Sequence, residues 1–333
     1  MDNQPLFNSK NKNVAVAIYT ALVLTVFAGL MMTLYNRGIS VSKEEAFEVE
    51  NSDIAAIIDE YSDNDDLTKS VSLAAISEAV PSAPKPAWRE NAAKTEATHA
   101  PKIVVIIDDL GLDPEATNIL ASIPGPYTLA YLPYADNLPM QTATVKAAGH
   151  ELMVHLPMQS HRDTADPGKK ALLAGLSFDE FGERMEWNLS QFTSYVGINN
   201  HMGSKLTEDA ALMVRLMARL RRDGLLFVDS LTTPKSVGKR AAKAIDVPFL
   251  ARDVFLDNER SAEYIKRQLA TTERVAKLRG YAIAIGHPYP ETLNALKEWQ
   301  KTLEFKGFKL VAISQIMAEK VDAQQNRVVE NRN

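Results

Sequence analysis

Cysteine is absent from the 333-residue chain, which rules out disulfides, thiolate nucleophiles and every cysteine-ligated zinc or iron–sulfur centre. Neither sign of charge dominates: 37 Lys and Arg against 42 Asp and Glu leave a formal charge of −5, without the basic footprint of a nucleic-acid binder. No Gly-x-Gly-x-x-Gly loop follows the first apolar strand, so no nucleotide cofactor is expected. No Gly-x-Ser-x-Gly elbow marks a serine hydrolase, and no internal repeat is evident. What is present is 46% hydrophobic residues, in a length that suits one large domain or two small ones.

The first 13 residues are a short basic arm. Residues 14–35, from Val14 to Tyr35, then run without a charge, and at about 1.5 Å per residue such a run just crosses a bilayer core of about 30 Å. Between Glu44 and Asp66 there are ten acidic and no basic residues, which favours an inside N-terminus and translocation of the rest. The expectation is an uncleaved signal anchor in the inner membrane, with the bulk of the chain on the periplasmic side. Residues 36–100 are acidic, then Ser/Ala-rich, then proline-bearing (Ser82 to Trp88), and read as a flexible linker.

From Lys102 the pattern changes to short apolar runs alternating with helix-period segments, the signature of an α/β fold with parallel strands. Strands are expected at Ile103–Ile107, Thr128–Leu132, Glu151–His155, Val196–Ile198, Leu225–Val228, Phe249–Phe255, Tyr281–Ile285 and Lys309–Ile313. The intervening helices are expected at Pro114–Ser122, Leu138–Ala148, Ser177–Gln191, Glu208–Asp223, Ser261–Leu278 and Glu291–Lys301. This spacing predicts a (β/α) barrel, complete or slightly incomplete with about seven strands, over residues 101–320, followed by a polar tail at 321–333.

Polar residues collect where the strands end: Asp108 and Asp109, His155, Asn199, Asn200 and His201, Asp229 and Ser230, and His287, with Arg252 and Asp253 inside the sixth run. In a parallel barrel those ends converge on one face, the face that carries chemistry. One carboxylate and two imidazoles make an oxygen/nitrogen site for one divalent ion such as Zn²⁺, with Asp109, His155 and His201 as the ligands. Such an ion makes water nucleophilic at neutral pH and polarises a carbonyl; Asp108 is placed to take the water's proton and His287 to protonate the leaving group. Asp229 and Ser230 suit either contact with the histidines or substrate, or helix capping. Arg252 and Asp253 suit either substrate contact or a mutual ion pair. His150 and His161 are expected at the surface.

The segments IVVIIDDLG, GHELMVHLPMQ, GINNHMGS, FVDSLTTPKS and AIGHPYPETL together resemble the divergent polysaccharide deacetylase family, a branch of the metal-dependent carbohydrate esterases. The resemblance spans nearly all of Pro101–Glu319 and none of the tether. It implies an Asp-Asp pair supplying base and ligand, matched by Asp108 and Asp109, a ligand at His155, and an acid at His287. Where the family has a second histidine this chain has Gln159, so His201, from the next strand, stands in by position alone. The usual arginine-proline-tyrosine segment is absent as well, which leaves oxyanion stabilisation unassigned. The implied activity is removal of acetyl groups from an envelope glycan. The alternatives are a glycan-binding scaffold whose catalysis is lost, and hydrolysis of another bond such as a peptidoglycan amide.

Overall fold

The computed structural model describes residues 86–94, 96 and 98–330. The expected membrane span at 14–35 and the acidic tether lie outside the described residues. Among the described residues, no helix is long and apolar enough to cross a membrane.

The domain is built on nine parallel strands: β1 (Lys102–Leu110), β2 (Thr128–Tyr131), β3 (Glu151–Met158), β4 (Gly197–Met202), β5 (Leu226–Asp229), β6 (Phe249–Ala251), β7 (Val254–Phe255), β8 (Tyr281–Gly286) and β9 (Lys309–Leu310). Their order is β6-β5-β4-β3-β2-β1-β8-β7, with β9 also paired to β1. The sheet curls but does not close, because β6 pairs with β5 and β7 with β8. The expected Phe249–Phe255 strand is thus two strands, broken at Arg252-Asp253.

Nine helices are described: α1 (Ala87–Glu90), α2 (Pro114–Ser122), α3 (Leu138–Ala147), α4 (Phe178–Leu189), α5 (Ala210–Arg222), α6 (Gly238–Ile245), α7 (Ala262–Arg279), α8 (Pro290–Leu303) and α9 (Ile313–Glu330). Their starts are legible: Asp113, Ser177, Asp209 and Ser261 each accept a backbone N–H of the first turn through the side chain. Three helices depart from expectation, the first being α1, which falls in the stretch read as linker. α6, eight residues long, lies in a stretch where no helix was expected, and α9 begins at Ile313, where a strand end was expected.

Strand alternation divides the sheet residues between two faces. Val104 and Ile106 share one inward cluster with Met153, Leu226, Val228, Leu250, Ile283 and Ile285. Trp88, Ile313, Ile316 and Met317 close this cluster at the end where the strands begin. Trp88 belongs to the stretch read as linker, yet it is only 3% exposed and its N–H donates to Gly224 O at 3.0 Å. Glu151, the first residue of β3, ties the same end together by accepting from Ala93 N–H, Ser314 N–H and the Ser314 hydroxyl.

His150 contradicts its expected surface position. It is 2% exposed, its Nδ1 accepts Tyr127 N–H at 3.1 Å, and its Nε2 donates to Leu120 O at 3.0 Å. The cause is Gly149, whose φ of +89° turns the chain so that the ring packs under Gly125. His161 lies on the surface as expected, 3.1 Å from Glu208.

Candidate metal centre

The inward face changes from apolar to polar at the strand ends. Two residues beyond Ile106, Met153, Val228, Leu250 and Ile285 lie Asp108, His155, Ser230, Arg252 and His287. Asn199 pairs in register with His155 and His201 follows at the same parity, so both lie on that inward face. Asp109 has the opposite parity and would point outward from a regular strand. It joins the group because its φ is 57° and the β1–β2 register shifts between Ile107 and Leu110. A non-glycine residue in the left-handed region costs about 1–2 kcal/mol, and such strain concentrates at functional positions.

Asp109 Oδ1 lies 2.8 Å from His201 Nδ1 and 3.2 Å from His155 Nε2. Neither contact has hydrogen-bond geometry, and Asp109 Oδ1 is buried without any hydrogen-bond donor. One ligand atom from each of these three residues fits within a 4.8 Å span. Ligands about 2.0–2.1 Å from a tetrahedral ion stand about 3.4 Å apart, close to the spacings here. A buried, orphaned carboxylate oxygen facing two imidazole nitrogens is a donor set that fits a divalent cation.

The proton positions support this reading. Asp108 Oδ1 accepts from Asn199 Nδ2 at 2.7 Å, which fixes the amide so that Asn199 Oδ1 faces His155 Nδ1 at 2.8 Å. In the neutral imidazole Nδ1 therefore carries the proton, and Nε2, the nitrogen turned to Asp109, is the one open to a cation. Burial works against charge on His155, but Asp108 and Asp109 outweigh it and push the imidazole up to about 9. Burial also opposes ionisation of Asp109, yet His155 and His201 hold its carboxyl far below the usual range. For Asp108 burial dominates, and its carboxyl is raised despite His155 and His287.

His287 reaches the cluster from the other side, with Nε2 at 3.7 Å from Asp109 Oδ2. Its Nδ1 donates to Asp257 Oδ1 at 3.0 Å, while Asp257 Oδ2 accepts the His287 N–H at 2.6 Å and the Thr292 hydroxyl at 2.8 Å. Burial disfavours the imidazolium, but Asp257, Asp108 and Asp109 raise the pKa overall. Phe255 packs edge-on against the ring at 5.5 Å between centroids, and Tyr289 lies at 5.3 Å.

The remaining expected residues separate. Ser230 accepts weakly from Asn199 Nδ2 at 3.3 Å, and Arg252 donates to Ser230 O and Leu231 O. Asp253 is not paired with Arg252: it accepts from Arg279 at 2.5 Å and from Ile283 N–H, outside the cluster. Asp229 faces away as well, accepting Leu231 N–H and the Ser236 hydroxyl, so its role is to cap its own loop. Asn200 accepts Ser230 N–H and donates to Met202 O, bracing two strand ends. Gln159 Oε1 accepts Ala174 N–H at 2.8 Å and anchors the loop after β3.

Sequence reasoning named Asn199 at its strand end but gave it no role, and it missed Asp257. Strand parity with His201 would have assigned the first. The second sits two residues past β7, at a strand end hidden by reading Phe249–Phe255 as one strand.

A family model described as divergent polysaccharide deacetylase matches residues 105–317. The uncharacterized protein YibQ of Escherichia coli K12 is 33% identical over 199 residues, 60% of this chain and 62% of that protein. This chain thus aligns with somewhat under two thirds of the length of YibQ. An uncharacterized protein of Haemophilus influenzae Rd is 33% identical over 204 residues, 61% of this chain and 72% of its own. Among solved structures, an uncharacterized protein of Agrobacterium tumefaciens C58 shares the fold with a TM-score of 0.67 at 24% identity, covering 69% of this chain and 94% of that one. With the matched region running from the middle of β1 into α9, across every strand that contributes to the cluster, the chain belongs to the divergent polysaccharide deacetylase family.

Proposed function

We propose that this protein is a metal-dependent hydrolase that removes acetyl groups from a cell-envelope glycan. The observation that carries the reading is Asp109 Oδ1, buried without a hydrogen bond and facing one nitrogen each of His155 and His201. These three residues would hold the ion, with zinc the expected metal. A bound divalent ion supplies Lewis acidity toward the acyl oxygen and makes water nucleophilic at neutral pH. Asp108, whose Oδ2 has no hydrogen-bond donor among the described residues, takes the proton of the attacking water. His287, held by Asp257, gives a proton to the departing amine or alcohol. Asn199 keeps His155 in the tautomer that leaves Nε2 free. The Val14–Tyr35 span anchors the chain in the inner membrane with the domain on the periplasmic side, supported by the charge pattern around it.

The test is elemental mass spectrometry of the purified full chain, followed by mass spectrometry of acetylated chitooligosaccharides and peptidoglycan fragments exposed to it. About one metal equivalent, lost in Asp109→Ala and His201→Ala together with release of acetate, is expected. Turnover unchanged in Asp109→Ala refutes the reading, and a cut peptide in place of a lost acetyl group assigns a different bond. Gln159 favours a second reading, a glycan-binding scaffold, because the residue at the family's second histidine position is engaged with Ala174 instead. Metal and glycan binding without any turnover is its signature.

A further inference from the structure

The loop that follows β2 carries a phenol with no hydrogen-bond partner among the described residues, that of Tyr134. Its place is tightly set. Leu132 N–H donates to Leu110 O at 2.9 Å, and Ala135 N–H closes a turn onto Leu132 O at 3.1 Å. On the other side, Gly111, two residues after Asp109, approaches so closely that a Cβ there would lie 2.6 Å from that of Ala135. The loop is therefore clasped to the segment that holds Asp109. The ring is pinned from above by Gly168, where a Cβ would lie 2.4 Å from Cε1 and 2.8 Å from the hydroxyl oxygen. Gly168 has a φ of +96°, and its N–H donates to Asp166 at 2.8 Å, which fixes the turn against which the ring lies.

The Tyr134 ring is fixed between the Asp109 segment and the Gly168 turn while its hydroxyl has no protein partner among the described residues, so the hydroxyl is positioned and free to donate to a bound molecule. We propose that the Tyr134 hydroxyl donates a hydrogen bond to the oxyanion that forms when an acetyl carbonyl is attacked in this site. The inference rests on the deacetylase reading above. In that reaction the water oxygen bonds to the carbonyl carbon, the C=O π pair moves onto the carbonyl oxygen, and Asp108 receives the water's proton. The C–N or C–O bond then breaks, His287 supplies the leaving group's proton, and acetate departs. Tyr134 transfers no proton; it stabilises the charge that appears on the carbonyl oxygen. Burial, together with the neighbouring charges of Asp109 and Asp166, pushes its ionisation up to about 12, so the hydroxyl remains a donor throughout the neutral range.

The experiment compares full-length, metal-loaded wild type with Tyr134→Phe and Gly168→Ala in metal content, acetyl hydrolysis and binding of methylphosphonate, a tetrahedral anion carrying the same methyl group as the adduct. Tyr134→Phe is expected to retain its metal, to lose about 10²-fold in kcat and to bind methylphosphonate at least tenfold more weakly. Gly168→Ala, which displaces the ring without removing the hydroxyl, is expected to show the same two losses. Equal kcat and equal methylphosphonate affinity in wild type and Tyr134→Phe overturn the donor role, as does loss of metal in Tyr134→Phe. A wild type that binds methylphosphonate through Tyr134 but hydrolyses no acetyl group refutes the deacetylase reading alone. Wild type that neither binds methylphosphonate nor hydrolyses an acetyl group overturns both.

Discussion

Asn199→Ala is the substitution that separates a metal centre from an ordinary buried polar cluster. The amide donates to Asp108 at 2.7 Å and accepts from His155 at 2.8 Å, and Asn199 is fully buried, so truncation strands one acceptor and one donor. A buried group left unsatisfied costs about 1–3 kcal/mol. Water entering the vacated space offsets part of the pair, so a loss of about 2–3 kcal/mol is expected, or roughly 5–10 °C in Tm for a domain of this size. The diagnostic effect is separate from stability. Without the Asn199 acceptor the His155 proton is no longer confined to Nδ1, and loss of such an outer partner weakens metal binding by about 10–100-fold. Calorimetric zinc titration of the full chain at a temperature where both proteins are folded measures it directly. Zinc affinity equal to wild type, with Tm lowered as expected, would show that Asn199 is only packing and that His155 is not a ligand.

Three further outcomes follow from the same geometry. Asp257→Asn removes the carboxylate that orients His287 and is expected to lower kcat by roughly 10–100-fold with KM and metal content unchanged; steady-state kinetics beside metal analysis decides, and an unaltered kcat removes His287 as the acid. His150 is buried neutral, its pKa lowered from the ordinary 6.5 mainly by burial. The unfolded chain therefore binds the proton first: stability is fully present above about pH 6.5 and falls with pH until the lowered value is passed. Urea denaturation against pH should show that slope in wild type and a flatter one in His150→Gln, and identical slopes would contradict it. Trp88→Ala should cost about 3–5 kcal/mol, because a 3%-exposed indole is removed from the strand-start end of the core. A loss below about 1 kcal/mol in denaturant melts would mean that the segment before β1 does not belong to the folded unit.

The fold was legible because its signals are repetitive. Eight apolar runs separated by helical periods allow few arrangements other than a curled parallel sheet, and the caps at Asp113, Ser177, Asp209 and Ser261 mark where helices begin. What escaped notice depends on breaks in that pattern. Ala251 and Val254 fall on strands that pair with different neighbours, and only the hydrogen bonds of Arg252 and Asp253 N–H to β5 and β8 reveal the gap. Trp88 looked like part of a proline-type linker because its burial depends on Gly224 and α9, more than a hundred residues away in sequence, and no local pattern encodes that.

At the site, residue type found the right strand ends, and alternation decides which member of each pair faces inward. Ser230 over Asp229 and Arg252 over Asp253 follow from counting by twos from the apolar interior, Asn199 over Asn200 follows from its register with His155, and each excluded neighbour satisfies its side chain elsewhere. Asp108 obeys the same count. Asp109 alone breaks it, at the one point in β1 where the register shifts and the backbone turns left-handed. The fold thus accepts local strain to bring a second carboxylate onto a face already holding Asp108, where repulsion between the two would oppose it. Part of the offset comes from the His155 and His201 imidazoles, which hold Asp109 ionised. Yet Asp109 Oδ1 receives no hydrogen bond from either ring, so imidazole alone does not complete the arrangement. A cation bound by all three would supply the missing partner and stabilise the strained turn at once. Removing the carboxylate should then cost stability twice: Asp109→Asn melts below wild type without metal, because the ionised carboxylate is held by His155 and His201, and it also loses the further rise that zinc gives the wild type. An Asp109→Asn protein that zinc still stabilises as much as wild type would refute the argument that this strain is held in place for a cation.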